Sequence, residues 1–319
     1  MNKTISVVVC TYNREEHIEN CIRSLLTQTL QRDLFEIIVV DNASTDNTAN
    51  ILKRFRDERA FRIVYEGTPG LSVARNRGWR EAVGKYVAYL DDDAVAHEGW
   101  LGAACWAFGH LSPKPQCLTG TITLAPEQPL PEWISEDLQV CLGYLDFGEK
   151  PFEMHFPTQQ IIGANCHFTR SILEQTGGFD ENLGRKKTLL LSGEETQLQR
   201  MIESCGGATW FHPDVAVTHF VGKDRLSSRW FYRRYFWGGV SDVYMKRTAC
   251  LVESSSIPLN DVTGQEGTGS RWKRLLKNIF SSFGLASRTN AIHSRIYMSY
   301  VVGYLYGFIR SRFGEEWSK

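Results

Sequence analysis

Three consecutive carboxylates, Asp91, Asp92 and Asp93, stand directly after an apolar run from Tyr86 to Leu90. Side by side they repel one another, and that arrangement gains no stability by itself. A divalent cation relieves the repulsion, because hard oxygen ligands suit Mg²⁺ or Mn²⁺, with waters and substrate phosphates completing the shell. An isolated acidic triplet is ordinarily a solvated turn. Here a run with the pattern of a strand buried on both faces leads straight into it, which favours a metal–phosphate site. Two further polar clusters follow apolar runs: Thr11-Tyr12-Asn13-Arg14 after Ile5–Cys10, and Asp41-Asn42-Ala43-Ser44 after Phe35–Val40. Glu194 and Glu195 open an amphipathic stretch through Leu198, Met201 and Ile202, a place where the helix dipole also favours acids. His219 lies in the strand-like run Trp210–Val221, and period-two alternation puts it on one face with Val215 and Val217.

The elements that must position these residues are readable from periodicity. Strands are expected over Ile5–Cys10, Phe35–Val40, Phe61–Tyr65 and Tyr86–Leu90. Between them come a helix within Glu15–Leu30 (apolar at Ile18, Cys21, Ile22, Leu25 and Leu26) and one through Ile51, Leu52 and Phe55 capped by Ser44 or Thr45. A third helix, holding Ala74, Arg75 and Asn76, follows the Gly67–Gly70 turn. This alternation predicts a parallel sheet with helices on both faces, and ligands of such sheets lie at the carboxyl ends of the strands. All three polar clusters fall at that edge. A dinucleotide fold would need a glycine-rich turn after the first strand; Cys10-Thr11-Tyr12-Asn13-Arg14 has no glycine. Further on, the pattern predicts a helix over Trp100–Leu111, an irregular proline-rich stretch from Pro113 to Trp133, a strand within Ile161–Phe168, and a glycine-stopped helix end in Leu173–Asp180.

The 319-residue composition, with 42% hydrophobic and 23% charged residues, is that of a soluble globular protein. Lys+Arg and Asp+Glu each number 36, so no net field points to a nucleic-acid partner. Eight cysteines without a CxxC pair read as reduced thiols in a cytoplasmic protein. The first strand begins at Ile5, which leaves no room for a signal peptide, and no apolar run is long enough to predict a spanning helix. The last third is basic and aromatic. Trp230–Arg247 mixes the two, Val252–Ser270 reads as a polar mobile loop, and Ser299–Phe313 carries an apolar core. Arg271–Ala286 places Trp272, Leu275, Leu276, Ile279, Phe280 and Phe283 on one helical face beside Arg271, Lys273, Arg274 and Lys277. Such a helix either lies on a membrane surface or packs on the main domain, and both expectations stand.

The segments ISVVVCTYNR, IIVVDNASTDNT, GLSVARNRG, YLDDDAV, GANC, GGFDENLG, SGEETQLQRM and VTHFVG occur in the order seen in one enzyme family. Over residues 1–225 the chain resembles the family-two glycosyltransferases of the GT-A fold. The resemblance implies an α/β fold with a mostly parallel central sheet flanked by helices. It implies a nucleotide-sugar half (1–97) and an acceptor half (98–225), followed by a helical basic-aromatic extension (226–319) with a flexible loop near 252–270. The implied reaction is metal-dependent, inverting transfer of a sugar from a nucleotide-diphosphate donor to a hydroxyl of a saccharide or lipid-linked acceptor. Synthesis of a cell-surface or exported polysaccharide, at the cytoplasmic face of a membrane, is the setting it suggests.

The same resemblance assigns roles. Asp93 would be the first direct metal ligand, Asp92 the next, and His219 a further one. Asp91 would support the ribose or a metal-bound water. Thr11, Tyr12, Asn13 and Arg14, with Asp41, Asn42 and Ser44, would hold base and ribose, while Arg75 and Asn76 close on the donor. Inversion needs one base for the acceptor hydroxyl proton, and Glu195 falls at that position with Glu194 beside it. Two departures stand out: relatives often carry two acids where this chain has Asp41-Asn42, and Glu195 is one methylene longer than the usual Asp. A sugar nucleotidyltransferase would need a glycine-rich, Arg/Lys-bearing loop after the first strand, which is absent. A non-catalytic membrane-bound scaffold with a relic sugar-nucleotide site is the remaining competitor, and the intact Asp91–Asp93, Glu195 and His219 speak against it.

Overall fold

The computed structural model describes residues 3–253 and 288–312. Four β-branched, apolar runs form β1 (Ile5–Thr11), β2 (Phe35–Asp41), β3 (Phe61–Tyr65) and β4 (Tyr86–Asp91), paired in parallel in the order β3-β2-β1-β4. Parallel strands need crossovers, and these are α1 (Ile18–Leu26), α2 (Thr48–Lys53) and α3 (Leu71–Glu81). Alternation along the strands splits the core into two layers. Val7, Val9, Ile37 and Val39 pack with Ile18, Ile22 and Leu25 of α1 and with α4 (Trp100–His110). Val8, Ile38 and Val40 pack with Ala74 and Trp79 of α3, with Leu173 of α6 (Arg170–Thr176), and with Leu198 and Ile202 of α7 (Glu194–Ser204).

Two helices start later than periodicity suggested. The Glu15–Leu30 stretch is helical only over Ile18–Leu26, because the residues before it tie into the neighbouring loop: the Glu15 N–H donates to Asp46 Oδ2 at 3.2 Å and the Asn47 N–H to Glu15 Oε2 at 2.8 Å. Neither Ser44 nor Thr45 caps α2. Asp46 Oδ1 accepts the Thr48 N–H instead, at 3.0 Å, and Phe55 is buried just past the helix end.

Beyond β4 the sheet becomes mixed. β8 (Asn165–Thr169) is antiparallel to β4 and to β6 (Pro115–Pro126); β9 (Ala208–Val221) runs parallel to β6 and antiparallel to β5 (Ala94–Ala96) and β7 (Phe152–Met154). The stretch expected to be irregular, Pro113 to Trp133, thus contains a 12-residue strand. Its prolines fall at the two ends, where a missing N–H costs little ladder, and Gln116 to Ala125 between them carries the β-prone Thr119, Thr121, Ile122 and Thr123. Gly120 is needed at its centre, since a Cβ there would run into the Val215 carbonyl oxygen of β9. The short helix α5 (Glu136–Gln139) leads away from this strand.

At the C-terminal end α8 (Ser228–Glu253) and α9 (Arg288–Arg312) pack side by side and run parallel. Tyr235 meets Tyr297, Gly307 lies against Val240 and Val243, and Arg247 Nη1 donates to the Ser311 carbonyl at 2.8 Å. Gly303 makes the approach close enough that a Cβ would strike the Phe236 backbone. Val252 and Glu253 end α8; the polar stretch after them and Arg271–Ala286 lie outside the described residues. Ile296 of α9 is buried with Phe231, Leu138, Leu142 and Val221, so this helix packs on the main domain. Its other side exposes Met298, Val302, Leu305 and Ile309. Among the described residues no helix is long and apolar enough to cross a membrane.

Candidate active site

At the carboxyl end of β4 the chain turns at once into β5, and β5 pairs with β9 so that Ala94 stands opposite His219. That ladder, continued by the Phe220 N–H donating to the Asp93 carbonyl at 2.8 Å, brings the imidazole onto the acidic turn. His219 Nε2 lies 3.0 Å from Asp93 Oδ1, and ligand atoms of Asp91, Asp93 and His219 all fall within 4.8 Å of one another. An octahedral ion holding oxygens at about 2.0–2.1 Å spaces neighbouring ligands about 3 Å apart, so the trio fits a divalent cation. His219 Nδ1 is buried without a hydrogen-bond partner, and Gly143 packs against it: a Cβ there would sit 3.0 Å from Nδ1. Gly143 has φ +102, a left-handed turn that brings its backbone onto the ring.

Asp92 does not join this group. Asp92 and Asp93 form the turn between β4 and β5, and there Asp92 faces Arg14 Nε at 3.2 Å. Asp92, expected as the second ligand, lies outside this trio, and Asp91 stands in it. Burial pushes the Asp92 carboxyl up to about 6 against the pull of Arg14, with Asp93 adding to the rise. Burial works the same way on Asp93, yet His219, Arg225 and Arg14 outweigh it and hold that carboxyl well below the usual range.

The turn Thr11–Arg14 is pinned to the loop after β2. The Asn13 N–H donates to Ser44 Oγ, the Thr45 N–H to Asn13 Oδ1, and the Arg14 N–H to Thr48 Oγ1, at 3.1, 2.7 and 2.9 Å. Asp41 Oδ1 accepts the Ser44 N–H at 2.9 Å. Tyr12 is exposed beside this junction, and Thr11 Oγ1 is buried with no hydrogen-bond partner. Two of the expected contacts are spent elsewhere. Asn42 gives Nδ2 to the carbonyls of Glu66 and Thr68 and takes the Gly70 N–H on Oδ1. Asn76 likewise gives Nδ2 to Phe179 O and Glu181 and receives the Phe179 N–H and Trp79 Nε1. Both amides are saturated by backbone and side chain, so they brace the 66–70 and 177–181 turns and have no donor left for a ligand.

Arg75, their neighbour on α3, does reach the site. Its buried guanidinium sends Nη1 to Glu194 Oε1 at 2.8 Å and Nη2 to Asp91 Oδ1 at 3.3 Å. Burial opposes its charge, and the carboxylates of Glu194 and Asp91 outweigh that and keep it protonated. Gly163 allows this placement, because a Cβ there would collide with the guanidinium. Glu194 and Glu195 open α7 behind Gly193, whose φ is +93. Burial first, then the adjacent Glu195 carboxyl, push Glu194 up to about 8 against Arg75. Glu195 Oε2 is enclosed without a partner.

Arg225 completes the surround: from the 3₁₀ turn Lys223–Leu226 it donates Nη2 to Asp93 Oδ2 at 2.9 Å. Periodicity gave no hint of it, nor of Gly143 and Gly163. The six-residue step from His219 to Arg225 becomes meaningful only once the turn after β9 folds back.

A parallel half-sheet carries a carboxylate–imidazole trio at its strand ends, wired by Arg75 to Glu194, the buried member of the acid pair. Residues 6–108 match the family described as Glycosyl transferase family 2. The glucosyl-dolichyl phosphate glucuronosyltransferase of Haloferax volcanii is 27% identical over 243 residues, 74% of this chain and 75% of that protein. Three further curated relatives match over 27–35% of their own length. Among solved structures, the mannosyltransferase PcManGT from Pyrobaculum calidifontis, in complex with GDP-Man and Mn²⁺, superposes with a TM-score of 0.61 at 18% identity, covering 97% of this chain and 88% of that one. S. aureus TarS in complex with UDP-GlcNAc gives 0.54 at 18% identity, covering 98% and 92%. Residues 6–108 thus carry the match to Glycosyl transferase family 2, and the described chain has the GT-A fold.

Proposed function

We propose that the chain transfers a sugar, with inversion, from a nucleotide-diphosphate donor to a hydroxyl of a saccharide or lipid-linked acceptor. The observation that carries this reading is the single guanidinium of Arg75 touching both Asp91 and Glu194. It couples the acids suited to a cation with the acids suited to proton removal. Asp91, Asp93 and His219 would hold Mg²⁺ or Mn²⁺, and a mixed carboxylate–imidazole set favours Mn²⁺. When bound, the ion would act as the Lewis acid that offsets charge on the departing diphosphate. Glu195 would take the proton from the acceptor hydroxyl as that oxygen bonds to the anomeric carbon and the bond to the donor phosphate breaks. Glu194, held by Arg75 and with its carboxyl pushed up by burial and by Glu195, would favour a pair that carries one charge. Arg14 would face the nucleotide from the turn it shares with Asp92.

Screening nucleotide sugars for release of nucleoside diphosphate tests the reading. Release is expected with Mn²⁺ and one donor, and to cease with a chelator. Release that a chelator leaves untouched would sink the metal assignment.

The finer part of the proposal is a lipid-linked acceptor met at the cytoplasmic face of a membrane. The relative that acts on a glucosyl-dolichyl phosphate supports it, as do the free thiols of the described cysteines and the exposed apolar side of α9. Full-length protein is expected to co-sediment with anionic vesicles and to be partly released by salt. If it stays in solution at low salt, the acceptor is soluble.

A further inference from the structure

An unbalanced group of cations lies beside Glu194 and Glu195. Arg185 follows Gly184, whose backbone is seated so tightly that a Cβ would lie 3.2 Å from Glu194 Cδ and 2.7 Å from Ser72 Oγ. The Leu71 N–H holds this turn by donating to the Arg185 carbonyl at 3.0 Å. The chain around Arg185 is thus fixed, while its partly buried guanidinium makes no hydrogen bond and no ion pair among the described residues. Its nearest charged company includes two more arginines. Burial first, then repulsion from Arg225 and Arg234, lower Arg185 to about 10, with Asp91 and Asp93 opposing.

Arg234, on α8, donates Nη1 to Ser192 Oγ at 2.8 Å, and its Nε is buried with no partner. Arg225 is bonded to Asp93, but that carboxylate already serves His219 and Arg14. Ser192 lies two residues before Glu194, and Gly184 touches Glu194 directly. Arg234 is therefore attached to the segment that carries the acid pair, Arg185 follows the glycine packed against Glu194, and Arg225 shares Asp93 with Arg14. An enclosed donor without an acceptor, as at Arg234 Nε, is costly unless something supplies one. Guanidinium pairs of this kind suit the planar, multi-oxygen faces of phosphate.

We propose that Arg185 and Arg234, beside Arg225, form an anion-binding site for a phosphate carried by the acceptor, separate from the site of the donor diphosphate. This rests on the transferase reading above. It narrows the acceptor class to molecules with a phosphate close to the hydroxyl that is glycosylated. The donor diphosphate is the other source of the same chemistry, and the experiment separates the two.

Full-length protein is saturated with UDP or GDP and Mn²⁺, and octyl phosphate or uncharged octyl glucoside is then titrated by calorimetry. Octyl phosphate is expected to bind the wild type and to lose roughly 10- to 100-fold in affinity in Arg185→Gln and in Arg234→Gln, the effect of one charge-assisted contact. Octyl glucoside should bind at least about tenfold more weakly than octyl phosphate. Arg185→Lys should recover part of the loss, which a purely structural role would not require. Nucleoside diphosphate affinity should stay within about twofold in every variant. A parallel loss of nucleoside diphosphate affinity would assign the cluster to the donor and overturn the proposal. So would octyl phosphate binding that ignores both substitutions, or a wild type with no preference for phosphate; intact donor turnover would then leave the transferase reading standing. A wild type that fails to bind any nucleoside diphosphate with Mn²⁺ would bring down that reading itself.

Discussion

Glu195→Gln is expected to lower turnover by roughly 10²–10⁴-fold while leaving donor affinity nearly unchanged. The substitution keeps the volume and removes the group that accepts a proton. One oxygen of each acid, Glu194 Oε2 and Glu195 Oε2, is enclosed and unpartnered, and what sets the two apart is that Glu194 Oε1 is engaged by Arg75. Steady-state rates with donor and acceptor saturating, set beside calorimetric donor affinity, give the test. The neighbouring substitution Glu194→Gln keeps the shape and an oxygen for Arg75, and burial already disfavours the charge it removes, so it should cost far less. If Glu194→Gln abolishes turnover and Glu195→Gln spares it, the roles within the pair are exchanged.

Asp93→Asn should abolish the gain in nucleoside-diphosphate affinity that Mn²⁺ confers. Asp93 contributes the carboxylate nearest His219, and it is also the shared partner of Arg14 and Arg225. Asparagine keeps a hydrogen-bond acceptor for those arginines, so it separates loss of a metal ligand from collapse of the site better than alanine would. Removing one partner of a buried ion pair is destabilising by about 3–5 kcal/mol, and thermal melts should register part of that. The informative comparison is calorimetry with and without Mn²⁺ on protein shown to be folded. Unchanged Mn²⁺-dependent affinity would remove Asp93 from the ligand set.

Much of the nucleotide half was legible in the chain because each strand is a continuous apolar run and each crossover helix has a 3.6-residue stripe. A strand buried on both faces can end in charge only where something compensates the charge, and that made Asp91–Asp93 conspicuous. Legibility failed where neighbouring residues share an element but not a direction. Arg75 and Asn76 are about 100° apart on α3, so one reaches Asp91 and the other braces the turn at Phe179. Asp91 ends β4 and Asp92 begins the turn after it, so the two carboxylates also part company. β6 escaped notice because prolines suggest irregularity, although here they mark the strand's ends.

The order of strands and helices, the strand-end position of the acids and the helix-opening Glu194-Glu195 pair were determined by the sequence itself, through periodicities that act over a few residues. What the tertiary structure decided are the contacts between distant segments. His219 reaches Asp93 only through the β5–β9 ladder, Arg225 only through the turn that follows it, and Arg75 joins Asp91 to Glu194 only because Gly163 leaves room. Such contacts depend on register, crossover and close backbone approach, which are properties of the packed chain and have no local signature. A lone arginine such as Arg185 looks like any surface cation until the fold seats it beside two others.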